Sequence, residues 1–290
     1  MIQAASAAAP GATIIPTLPE IQKASETGIR TLWVVFVVMT ISSIAFYAMA
    51  FRVPVQKRLF HILTAFITTF AAISYYAMAN GDGVSLSSTI IKESYKNRPD
   101  QITEVLREVY WARYVDWSVT TPLLLLDLSF LAGLSGANIL VAVVADLIMI
   151  LTGLFAAFAS SESTKWGYYA IACIAYLVVV YQLAVHGRAQ ALAKDSKTGT
   201  FFSAIGGFTL ILWTAYPIIW GIADGSRNIG LDPEIIGYAV LDVLAKPIFG
   251  FWLLFTHDAM PSTSVTLEGF WAHGLGKEGS LRVGDDDEGA

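Results

Sequence analysis

Seven stretches of about twenty mainly apolar residues follow one another along this chain, separated by polar turns. No other feature limits the fold as strongly. A helix needs about 20 apolar residues to cross the ~30 Å hydrocarbon layer. Inside that layer each backbone polar group must be satisfied within the protein, which leaves helices and closed barrels. The stretches run from about 31–51, 59–79, 105–129, 138–159, 166–185, 200–223 and 233–256. Charged residues are only 14% of the chain, where soluble domains carry roughly a quarter. The expected fold class is an all-α membrane protein, a bundle of seven transmembrane helices.

Three regions follow from this reading. Residues 1–28, rich in Ala, Ser, Thr and Pro, form an N-terminal tail; 29–257 form the bundle; 258–290 form a polar C-terminal tail. The aromatic patch Phe270-Trp271 in that last tail is expected to dock on the bundle. Residues 1–28 lack the basic start and compact apolar run of a cleavable signal, so the first span is expected to serve as its own insertion signal. The first–second and fifth–sixth connections hold Arg52, Lys57, Arg58, Arg188, Lys194 and Lys197 against one acid, Asp195. The positive-inside rule then puts the N-terminus outside and the C-terminus in the cytoplasm, with the plasma membrane as the expected location. No basic surface points to nucleic acid, no metal is expected, and the single cysteine, Cys173, excludes an intrachain disulfide. Nothing in the sequence identifies an interface for a homo-oligomer.

Ionisable residues within the spans cost at least a few kcal/mol each and call for a functional reason. The third span carries Arg113, Asp116 and Asp127. Arg113, Asp116 and Thr120 are spaced three and four apart and share one helix face. Asp127 is eleven positions beyond Asp116, about 16 Å along nearly the same face at ~1.5 Å per residue. Two carboxyls at different depths on one face suit a proton path. On the seventh span Asp242 and Lys246, four apart, are stacked. Their pairing reads either as a structural salt bridge or as the surroundings of a covalent amine, since a lysine in an apolar pocket forms Schiff bases with aldehydes. With Arg113 and Lys246 cationic, Asp116 and Asp242 are expected to neutralise them. Asp127 and Asp146 then lack a basic neighbour in sequence and are expected to hold their protons, Asp146 in a structural hydrogen bond.

Aromatic residues supply the rest. Trp213, Tyr216 and Trp220 recur on one face of the sixth span. Alone that stripe is ordinary packing; beside Trp117, Tyr76, Met149 and a buried amine it suggests walls for a long flat apolar ligand. Pro122, Pro217 and Pro247 each remove a helical hydrogen bond within a span.

These residues closely resemble the microbial rhodopsins. Arg113-Tyr114-x-Asp116-Trp117-x-x-Thr120-Thr121-Pro122, running on to Asp127, is similar to the third-helix signature of the proton pumps. Trp213-x-x-Tyr216-Pro217-x-x-Trp220 is similar to their sixth-helix pocket, and Leu241-Asp242-Val243-x-Ala245-Lys246 to their retinal-attachment segment. The resemblance covers about 30–257, and its loops look most like those of ascomycete fungal members. It implies all-trans-retinal bound to Lys246 as a protonated Schiff base, in a protein that is a light-driven transporter rather than an enzyme. Asp116 and Asp242 would be counterions, Asp116 the proton acceptor hydrogen-bonded by Thr120, and Asp127 the cytoplasmic donor. Arg113 and Glu234 would lie on the outer path, Glu234 as a release group. Trp117, Thr121, Met149, Gly153, Trp213, Tyr216 and Trp220 match pocket positions, and Tyr76 a position near the counterions.

The chain also departs from the family pattern. Gly225 stands where a second outer acid is expected, with Asp224 one residue early. Trp166 is about one step early for the tryptophan that covers the retinal ring, leaving Gly167 in its place. Pro247 follows the attachment lysine directly and is expected to bend the helix there. The leading function is a light-driven outward proton pump; the alternative is a photosensor signalling through a partner protein. Asp127 favours the first, because sensory relatives usually lack a carboxyl there.

Overall fold

The computed structural model describes residues 14–95 and 99–260. Phe270-Trp271 and the rest of 261–290 lie outside the described residues, as do 1–13. Seven helices long and apolar enough to cross a membrane occur among the described residues. They are α1 (Glu26–Phe51), α2 (Leu59–Asn80), α3 (Ala112–Ala132), α4 (Gly136–Ala157), α5 (Glu162–Lys194), α6 (Ser196–Gly225) and α7 (Leu231–Ala259). The fold class is as expected, a seven-helix bundle of a membrane protein.

Helix ends follow local chemistry. Ser25, Ser135 and Ser161 cap α1, α4 and α5 with side-chain oxygens. α2 and α3 stop at Gly81 (φ 82°) and Gly133 (φ 79°), left-handed positions that glycine adopts without a Cβ penalty. Ser25 also bonds Asp232 through its amide (2.9 Å) and its hydroxyl, tying the start of α1 to the start of α7. At Gly250 a Cβ would lie 2.5 Å from Thr64 Cγ2, so only glycine lets α7 come this close to α2.

Two regions differ from the sequence reading. The polar segment after α2 is a β-hairpin, β3 (Ser85–Glu93) against β4 (Asp100–Val109), and α3 therefore starts at Ala112, seven residues later than expected. Within the N-terminal tail, β1 (Ile14–Pro16) and β2 (Glu20–Gln22) pair in parallel with β4. Unpaired strand amides and carbonyls seek partners, and β4 offers a second edge that these short segments fill. The sheet closes one end of the bundle; the basic connections 52–58 and 188–197 mark the other. The latter connection is not a loop. α5 continues helically through it by way of a wider π-type turn, Gln182–Gly187.

Candidate functional site

Lys246 stands on α7, 2% exposed, in a π-type turn over Leu244–Ile248. Pro247 accounts for that turn, because it has no N–H to give to Val243. The amine is bonded to Asp116 Oδ2 of α3 and lies 3.3 Å from Asp242 Oδ1 one turn back on its own helix. Both carboxylates are buried. Asp242 accepts hydrogen bonds from the Tyr75 and Tyr216 hydroxyls, each at 2.7 Å. Asp116 is less fully held. Its Oδ1 has no hydrogen-bond partner among the described residues, and Thr120 Oγ1 donates to the Asp116 backbone carbonyl at 2.9 Å.

Tyr76 does not join this group and its expected place is corrected to Tyr75. One residue on a helix is a turn of about 100°. Tyr76 is therefore swung outward, 50% exposed, against Trp33 and Phe36. The signal was present: Thr64, Thr68, Ala71 and Tyr75 recur at i, i+4, i+7 and i+11, and all four are buried.

From Lys246 a cavity extends toward α5. α3 supplies Trp117 and Thr121, α4 Met149 and Gly153, and α6 Trp213, Tyr216 and Trp220. On α5 the wall is Tyr169, whose ring stacks on Trp220 at 5.0 Å and 16°. Its hydroxyl donates to the Pro217 carbonyl at 2.9 Å. Trp166 packs edge-on behind Trp220 and Gly167 is exposed, so neither takes the covering position. Residues three apart on a helix share a face, and Tyr169 follows Trp166 by three.

Toward the sheet lies a dense ion cluster. Arg113 Nη1 donates to Glu234 Oε1 at 2.9 Å while its guanidinium covers the Tyr238 ring at 4.1 Å. Its partner is thus Glu234, not Asp116. The other oxygen of Glu234 accepts from Arg107 Nη2 of β4 at 2.7 Å. Arg107 Nε is 3.4 Å from Asp224 Oδ1, and Nη1 donates to Gln22 Oε1 and the Ile229 carbonyl. Sequence reasoning missed Arg107, which is 2% exposed. Strand alternation could have found it, since Val105, Arg107 and Val109 are the buried face of β4. The expected loss of the second outer acid is also corrected. A π-type turn at Gly221–Gly225 takes up an extra residue and turns buried Asp224, rather than Gly225, toward Arg107. In the connection beside this cluster, burial, followed by the neighbouring Glu108, holds the Tyr110 hydroxyl above its ordinary range.

In the opposite half the surroundings of the acid are apolar. Asp127 is fully buried beside Leu124, Leu125 and Leu128. Its nearest polar contact is Thr64 Oγ1 at 3.5 Å, and its Oδ1 has no hydrogen-bond partner among the described residues. Asp146 Oδ2 is 2.6 Å from Thr121 Oγ1, which is also 2.6 Å from the Trp117 carbonyl. One hydroxyl proton cannot serve both acceptors, so a proton on Asp146 would complete the pair.

The profile of the bacteriorhodopsin-like protein family matches residues 27–260. The chain belongs to that family, the microbial rhodopsins. It is 50% identical to Opsin-1 of Neurospora crassa over 280 residues, 96% of this chain and 92% of that protein. Among solved structures it resembles the light-driven proton pump LR (Mac) from Leptosphaeria maculans, at 56% identity and TM-score 0.83, covering 85% of this chain and 100% of that one. The light-driven proton pump rhodopsin CsR of Coccomyxa subellipsoidea matches at 38% identity and TM-score 0.75, covering 82% and 100%. This rhodopsin is therefore an integral membrane protein, and its family implies retinal on a lysine.

The site suits that group. A rhodopsin needs one buried amine at the end of a long apolar slot, with anions to balance the positive linkage. Here Lys246 ends a slot walled by indole and phenol rings, with Asp242 in the wall and Asp116 against the amine. A linkage nitrogen carries one N–H where an ammonium has three. The free ammonium already uses Asp116 and Asp242, so one N–H can keep an anionic acceptor.

Proposed function

We propose that this rhodopsin is a light-driven outward proton pump of the plasma membrane, with all-trans-retinal on Lys246, its N-terminus outside and its C-terminus in the cytoplasm. Bound there, retinal supplies a light-driven change of shape that weakens the hold of the linking nitrogen on its proton. The chain supplies the direction. Asp116 is the acceptor: it touches the nitrogen, and its free Oδ1 leaves it less committed than Asp242, which two phenols hold as a fixed anion. Asp127 is the donor. A lone carboxyl in an apolar wall favours its neutral form, and its removal from Asp116 by eleven residues keeps the two proton stations apart. Arg113, Arg107, Glu234 and Asp224 form the release path beneath the sheet. The basic connections 52–58 and 188–197 support a cytoplasmic position for the other end.

The observation that carries the proposal is Asp127, a buried acid with no ion partner among the described residues, on the acceptor's helix in the half that lacks the ion cluster. A protein that only signals has no need to return a proton from that side. The experiment is illumination of expressing cells in unbuffered medium. The medium should acidify, and a protonophore should abolish the change. Light without acidification rejects the pump in favour of the sensory reading.

A further inference from the structure

The end of the bundle away from the sheet holds ionisable groups that none of these steps uses. His61, in the first turn of α2, is fully buried, and neither ring nitrogen has a hydrogen-bond partner among the described residues. Leaving a buried polar group unmatched costs about 1–3 kcal/mol, so such a group calls for an explanation. His61 Nε2 lies 3.4 Å from Asp258 Oδ2 of α7, in range of an ion pair yet outside hydrogen-bond geometry. The imidazole is 0% exposed and the carboxylate 43%. His257 flanks the pair, its ring 6.4 Å from that of His61 and packed on Phe60. The charged and titratable groups facing the two imidazoles are Asp258 on α7 with Arg58 and Lys57 before α2. On the inward side comes Thr64, whose hydroxyl points to Asp127 at 3.5 Å.

His61 and Thr64 are three residues apart on one helix face, ~4.5 Å along the axis. The groups therefore run inward as a half-exposed carboxylate, a buried imidazole, a hydroxyl and a buried acid. Imidazole is the side chain that accepts a proton at one nitrogen and releases one from the other near neutral pH.

We propose that His61 is the proton-uptake relay that recharges Asp127, with Asp258 as its outermost carboxylate. This rests on the pumping reading. Asp258 takes a proton from water and passes it to His61 Nε2. The other nitrogen gives up its proton, through water beside Thr64, to the Asp127 carboxylate. Asp258 and His61 end as they began, apart from the imidazole's tautomer, which resets by rotation or exchange. Asp127 gains one proton, and no heavy-atom bond changes.

The test uses the full-length pigment in lipid vesicles, a pulsed laser, a pH-indicator dye and the infrared carbonyl band of Asp127. His61→Ala should slow proton uptake and recovery of that band by about 100-fold, the lower end of the range for a positioned proton carrier. Proton transfer to Asp116 should keep its rate. Imidazole added to the buffer should restore uptake in His61→Ala and leave the wild type unchanged, a rescue that a structural role would not give. Should His61→Ala form no pigment, Asp258→Asn carries the test, with slowed uptake as support and unchanged uptake against. Normal uptake in His61→Ala, or slowed uptake that imidazole does not restore, overturns the relay while pumping stands. A wild type that never acidifies the medium overturns the pump and the relay together.

Discussion

The two halves of the bundle hold their acids in opposite ways. Toward the sheet, Glu234 accepts from Arg107 of β4 and Arg113 of α3, and Asp224 lies 3.4 Å from Arg107. In the other half Asp127 has leucines on α3 and one long contact from α2. The difference is what a one-way path needs. Charges already paired and hydrogen-bonded rearrange at little cost, whereas a lone acid in an apolar wall gives up its proton only when the pocket opens or a charge changes nearby. On the proposed pumping cycle, the polar half would serve release and the apolar half controlled supply.

Substitutions should separate the halves, beginning with the shared centre. Lys246→Ala should form no coloured pigment with added retinal; absorption in the visible would contradict the attachment. Asp116→Asn removes the acceptor and should lower light-driven acidification by about 100-fold or more, as the loss of a positioned base does. In the polar half, Arg107→Gln leaves two carboxylates short of a cation. Breaking a buried pair costs about 3–5 kcal/mol, so thermal bleaching should occur several degrees lower. An unchanged midpoint would mean that Arg107 is a bystander. In the apolar half, Asp127→Asn breaks no ion pair. It should leave bleaching nearly unchanged while slowing reprotonation about 100-fold or more, with recovery on adding azide. The smallest effect is expected for Tyr75→Phe, which removes one of two phenols from Asp242. It should cost about 1 kcal/mol of thermal stability and shift the visible band. Tyr76→Phe should do neither.

Much of this was legible from residue spacing. The seven spans, the Asp242–Lys246 stack and the aromatic stripe on α6 follow from helical periodicity, because each depends on neighbours within one helix; the partnership with Asp116 and the walls on α3 and α4 rested on the family resemblance. The errors arose where the period changes. A strand alternates by two, so Arg107 was hidden at the start of a segment read as the third helix. A π-type turn adds one residue, so Asp224 seemed out of register at Gly221–Gly225. Tyr75 and Tyr76 are adjacent tyrosines separated only by which face of α2 they occupy. Tyr169 was obscured by Trp166, a closer chemical match at the wrong height. Arg113 could be assigned to Asp116 by proximity in sequence; its bond to Glu234 spans 121 residues and needed the fold.

Infrared difference spectroscopy of the carboxyl carbonyl bands through one light cycle tests the central claim most directly, with Asp116→Asn and Asp127→Asn identifying each band. A band assigned to Asp116 should appear as its carboxylate gains a proton. The Asp127 band should then vanish and return in step with uptake from the medium. Bands at both positions that stay constant through the cycle would contradict the account, even in a protein that binds retinal and changes colour in light.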